Sequence, residues 1–76
     1  MVELVETIAK ALVDNPDEVS VKEVSGDQTI VLELRVHADD MGKVIGKQGR
    51  IAKAIRAVVK AAASKEKKKV VVEIVQ

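Results

Sequence analysis

Apolar residues in the opening segment, "VELVETIAKALVD", recur at Leu4, Val5, Ile8, Leu12 and Val13, with Glu3, Glu6 and Lys10 elsewhere on the wheel. That spacing predicts an amphipathic helix over residues 2–14. "DNPDE" ends it, because Pro16 cannot continue a helix and disfavours helical backbone at Asn15. The period then switches to two. In "EVSVKEV", Val19 and Val21 alternate with Ser20 and Lys22, and "SGDQ" is a tight-turn signal. "TIVLELRVH" puts Ile30, Leu32, Leu34 and Val36 on one face and Val31, Glu33, Arg35 and His37 on the other. These two strands are expected to form a hairpin with one wet face.

Helical spacing returns at "DDMGKVI", where Asp39 and Asp40 read as an N-cap and a first-turn acid. "GKQG" interrupts this short helix, and a longer one follows, "RIAKAIRAVVKAAAS". On that helix Ile51, Ile55, Val58 and Ala62 are expected on the buried side, opposite Lys53, Arg56 and Lys60, with Arg50 near their edge. "KEKKK" reads as a charged loop, and "VVVEIV" as a final strand whose apolar run suits burial against neighbours. The order α-β-β-α-α-β, with a helical crossover between the second and third strands, predicts an α+β fold. Its mixed three-stranded sheet would carry all three helices on one face. With no linker or repeat, residues 1–76 are expected to form a single domain.

Composition narrows the functional classes. Cysteine is absent, which removes disulfides, thiolate metal sites and a Cys nucleophile. No apolar run nears the roughly 20 residues that span a bilayer, and the N-terminus has the wrong charge order for a secretory signal. A soluble, cytoplasmic protein without membrane insertion is expected. The aromatic count is zero, so nucleic-acid recognition by stacking on an aromatic sheet is excluded. The net charge of +1 conceals an asymmetry: residues 1–42 hold three basic residues against ten acidic, residues 43–76 ten basic against two acidic. Such a distribution fits a two-sided surface with one side suited to an anion, or two halves that neutralise each other in the fold.

Three of the four glycines, Gly42, Gly46 and Gly49, lie within eight positions. A turn between helices needs one glycine for positive backbone angles. A loop that presses its backbone against a phosphate has a use for two, with Lys47 and Arg50 adding charge at that point.

The stretch "VIGKQGRIAKAI" resembles the signature of the KH domain, a nucleic-acid-binding module whose G-x-x-G loop joins two helices. The element order is similar to the prokaryotic, type II form of that fold over essentially the whole chain. "ADDMGKVIGKQGRIAKAIRAVVKAAA" further resembles the small bacterial single-KH proteins of the KhpA/YlqC-like family. The resemblance implies a cleft that holds about four unpaired nucleotides of single-stranded RNA. On that basis Gly46, Lys47, Gln48 and Gly49 would clamp the phosphate backbone, with Lys43, Arg50 and Lys53 adjoining. Val44, Ile45 and Ile51 would floor the groove, unless helix packing buries them. "SKEKKK", with Lys67 and Lys68, would form a basic opposite lip, unless it is only a solubilising loop. Many KH domains carry a large aliphatic residue where this chain has Ala52, which bears on base preference. The family further implies a homodimer, for which "AVVKAAA" (57–63) is a candidate surface, and pairing with a larger KH-containing RNA-binding protein. Low-specificity RNA chaperoning or RNA regulation would follow from the same resemblance.

Two other classes compete with this reading. Catalysis or metal binding would have to use His37, Asp39 and Asp40, and helix capping already accounts for the two carboxylates; no enzyme activity, cofactor or metal is expected. A protein-interaction module that recruits an RNA-binding partner would normally carry acidic or bulky residues in the G-x-x-G loop, and Lys47 and Gln48 are neither.

Overall fold

The computed structural model describes residues 1–75, apart from the Lys47 side chain. Helix α1 spans Val2–Leu12, a single 3₁₀ turn spans Pro16–Glu18, and strands β1 and β2 span Ser20–Ser25 and Thr29–Arg35. Helix α2 covers Ala38–Ala62 and strand β3 covers Lys69–Val75. The sheet order is β1-β2-β3, antiparallel between β1 and β2 and parallel between β2 and β3. This is the α+β architecture of the type II KH fold, with a mixed three-stranded sheet and the helices on one of its faces.

Register explains the layering. Leu32 pairs with Val72 and Leu34 with both Val21 and Ile74, so these side chains share the helix-facing side. Against them pack Val5 and Ala9 of α1, and Val44, Ala52, Ile55 and Val59 of α2, all buried. The alternation in "TIVLELRVH" therefore becomes the centre of the core, where Leu32 and Leu34 are fully buried.

Helix α2 departs from expectation in two ways. The break at "GKQG" narrows to Gln48 and Gly49, the residues with left-handed backbone (φ 63° and 67°), and helical backbone continues on both sides. Two left-handed residues in succession re-aim the second half of the helix. Its buried face is Ala52, Ile55 and Val59, while Val58 and Ala62 are exposed and Ile51 is half-buried. The helix carries two overlapping apolar faces that share Ile55, and packing on the sheet selects the one through Ala52 and Val59.

The start of α2 also differs. His37, not Asp39, is the N-cap: its Nδ1 accepts a hydrogen bond from the Asp39 amide at 3.0 Å. Asp40 is buried and accepts hydrogen bonds from the Asp14 amide (3.2 Å), the Asn15 amide (3.0 Å) and Asn15 Nδ2 (3.2 Å). One carboxylate thus satisfies the chain where α1 ends and Pro16 forces a turn. Burial on its own would raise the Asp40 pKa. The hydrogen bonds from Asp14 and Asn15, with His37 nearby, outweigh burial and hold it below the ordinary carboxylate value. Among the described residues, no helix is long and apolar enough to cross a membrane.

Candidate nucleic-acid interface

A groove runs between the second half of α2 and β3, which is an edge strand. The part next to "GKQG" has a volume of about 230 Å³ and is lined by Ile45, Gly49, Ala52, Lys53, Arg56 and Ile74. At Arg56 it meets a wider part of about 550 Å³, floored by Val59 and Val70–Val72 and rimmed by Lys60, Lys68 and Lys69. Helical spacing places Lys53, Arg56 and Lys60 along one wall, with Gly49 at its head. Every charged residue that lines either part is basic. The charge asymmetry of the sequence is therefore concentrated around an apolar trough.

The glycines have separate reasons. Gly49 sits at φ 67°, where a side chain is strained whatever the space around it. Gly46 has no such backbone angle, and a Cβ built on it would meet nothing within 4 Å. Gly42, one turn earlier on the same face, is equally open. Nothing in the fold itself requires a bare backbone at Gly46. Gln48 also holds a left-handed angle that side chains disfavour by about 1–2 kcal/mol.

The expected site residues separate into groups. Ile45, 54% exposed, lies on the groove floor together with Gly49 and Lys53. Val44 does not: it is fully buried in the core, because the adjacent helical position faces inward. Ile51 packs partly against the core and lines neither part of the groove. Gly46 and Gln48 line neither part, and the Lys47 side chain lies outside the described residues. Arg50 and Lys67 are exposed but line neither part. Lys43 points to the α1 side, paired with Asp14 at 3.1 Å. Lys68 does rim the wider part, and its Nζ donates to the Gly26 carbonyl at 2.7 Å, fastening the loop before β3 to the β1–β2 turn.

Sequence reasoning missed Arg56, Lys60 and Ile74 as lining residues. The signal was present in the Lys53, Arg56, Lys60 spacing, but a buried face phased on Ile51 turns that stripe away from the cleft. His37, Asp39 and Asp40 have roles in capping α2 and tying it to α1. Among the described residues, no group of three His, Cys, Asp or Glu side chains is gathered to hold a metal ion.

The model of the KhpA/KhpB KH domain matches residues 2–74. The chain is 72% identical over 75 residues to the RNA-binding protein KhpA of Clostridium acetobutylicum, covering 99% of this chain and 100% of that one. It is 53% identical to KhpA of Aquifex aeolicus, over 97% and 94% of the two chains. Against KhpA of Listeria monocytogenes it is 49% identical, over 100% of both. No solved structure matches. A left-handed break between two helix halves, a basic apolar groove beside it and a family model that spans nearly the whole chain agree: the chain belongs to the KhpA/KhpB family of KH domains.

Proposed function

We propose that this protein binds short single-stranded segments of RNA in the groove between α2 and β3, with the phosphate backbone held against "GKQG". The carrying observation is an apolar trough whose charged lining residues are all basic and whose lining includes Ile45 and Gly49, which bracket in the chain a glycine, Gly46, that the fold does not need. Relatives named RNA-binding protein KhpA support the same reading. The contact set is Gly46, Lys47, Gln48, Gly49, Ile45 and Lys53, with Lys68 on the far rim and Arg50 and Lys67 supplying outer charge, while Lys43 stays with Asp14 on the α1 side. Val44 and Ile51 act through packing. With no aromatic platform, affinity comes mainly from phosphate charge and reaches the micromolar range for one domain. Such binding suits a cytoplasmic RNA chaperone or regulator.

The test is a salt-series titration of single-stranded RNA with the wild type and a Lys47→Asp, Gln48→Asp variant, its folding checked by circular dichroism. Neutralising roughly three or four phosphates gives a slope of log K against log salt of about −2 to −3. The folded variant should lose binding. Equal binding by both proteins, or binding indifferent to salt, refutes the clamp.

A second reading concerns assembly. Ala54, Ala57, Val58 and Ala61 lie exposed along α2, an apolar strip that fits a homodimer or a larger KH-containing partner. Two linked grooves would raise the effective affinity without new contacts. Sedimentation of wild type and Val58→Glu tests it: a dimer that the substitution leaves intact refutes this surface.

A further inference from the structure

We propose that Arg56 is the base-selecting residue of the groove, and that the part beside Gly49 favours a nucleobase with two adjacent hydrogen-bond acceptors, cytosine or guanine, over uracil and adenine. The inference rests on the RNA reading above and adds the class of base that the site takes. Arg56 is the lining residue common to both parts of the groove, so a strand lying along the trough passes it. Its side chain is exposed and, among the described residues, has no hydrogen-bond or ion-pair partner. The guanidinium is therefore free to meet a ligand.

The chemistry comes from the residues around it. In the part beside Gly49 the polar side chains are Lys53 and Arg56, and both are donors only. Ile45, Ala52 and Ile74 give a base plane apolar contact but no hydrogen bond. An inserted base is thus read by side chains that can donate and cannot accept. Cytosine offers O2 and N3, and guanine O6 and N7, as neighbouring acceptors that match the guanidinium fork. Uracil places an N3–H donor between its carbonyls, and adenine places its amino group beside N1 and N7, so each sets a donor against the fork. Lys53 adds charge but no planar fork, so the discrimination falls to Arg56.

The test compares oligocytidine and oligouridine eight-mers, pyrimidine strands that differ in edge chemistry, titrated by fluorescence anisotropy at pH 7.5. Wild type should bind oligocytidine about five- to tenfold more tightly, the scale of one good fork contact. Arg56→Lys keeps the charge and loses the fork. It should reduce that ratio to below about twofold while the salt slope stays nearly unchanged. Equal binding of both oligomers by wild type, with a normal salt slope, overturns the base-reading role and leaves RNA binding standing. A preference that survives in Arg56→Lys overturns it as well. Failure of wild type to bind either oligomer overturns the RNA reading and this inference with it.

Discussion

Replacing each glycine of "GKQG" by alanine should move stability in opposite directions. Gly46 lies in helical backbone with open space before it, so the added methyl meets no atom within 4 Å. Alanine is a better helix former than glycine by about 0.5–1 kcal/mol. Gly46→Ala should therefore raise Tm by about 3–6 °C in a domain of this size. Gly49→Ala also meets no atom, but it puts a side chain at φ 67°. The left-handed angle costs about 1–2 kcal/mol, and the stiffer unfolded chain offsets about 0.4–1 kcal/mol of that. A net loss of about 0.5–1 kcal/mol lowers Tm by about 3–6 °C. Thermal melts followed by circular dichroism read the difference, and the RNA titration above gives the second axis. Gly46→Ala should be more stable and bind RNA more weakly, because its methyl occupies the space a phosphate needs. If Gly46→Ala melts lower than wild type, the fold does require that glycine. If it binds RNA as well as wild type, close backbone approach at Gly46 is refuted.

Val44 and Ile45 are neighbours with opposite duties: Val44→Ala opens a cavity in the core and should cost about 2–3 kcal/mol, a Tm fall of about 10–20 °C. Ile45→Ala, at a half-exposed position, should shift Tm by about 3 °C or less while weakening RNA binding several-fold; equal melts for the two variants would show that the assigned facing is wrong. Asp40, whose folded pKa is lowered, stabilises the protein fully above the unfolded-state value near 4, and that contribution is lost as pH falls through the folded pKa. Asp40→Asn should therefore be less stable at pH 7 and show a shallower loss on acidification below about pH 4, read by denaturant melts at several pH values; parallel curves for both proteins would remove Asp40 from the acid response.

Local signals in the sequence lead to most of the fold. Pro16 ends α1, "SGDQ" makes the hairpin, and the period-two run at Ile30–Val36 marks the strand that becomes the core. Distant partners stay hidden. Asp40 reads as part of a helix start because capping is a local rule, whereas its hydrogen bonds reach Asp14 and Asn15 across the α1 turn. The groove face of α2 is mis-phased because two overlapping apolar faces, one through Ile51 and Val58 and one through Ala52 and Val59, share Ile55, and only contact with the sheet selects between them. Val44 and Ile45 cannot be told apart as letters, since both are aliphatic and adjacent; packing alone decides which turns inward.

The parallel pairing of β2 with β3 has a kinetic consequence. Each matched pair, such as Thr29 with Lys69 and Arg35 with Val75, is separated by the whole of α2, whereas the β1–β2 hairpin closes through one short turn. The hairpin is a microsecond event, but the parallel pair must wait for a long loop to close over a formed helix. Because β3 is also one wall of the groove, a nascent chain that still lacks it already has the "GKQG" turn and no trough beside it. The groove proposed to hold RNA is thus completed by the slowest contact in the topology.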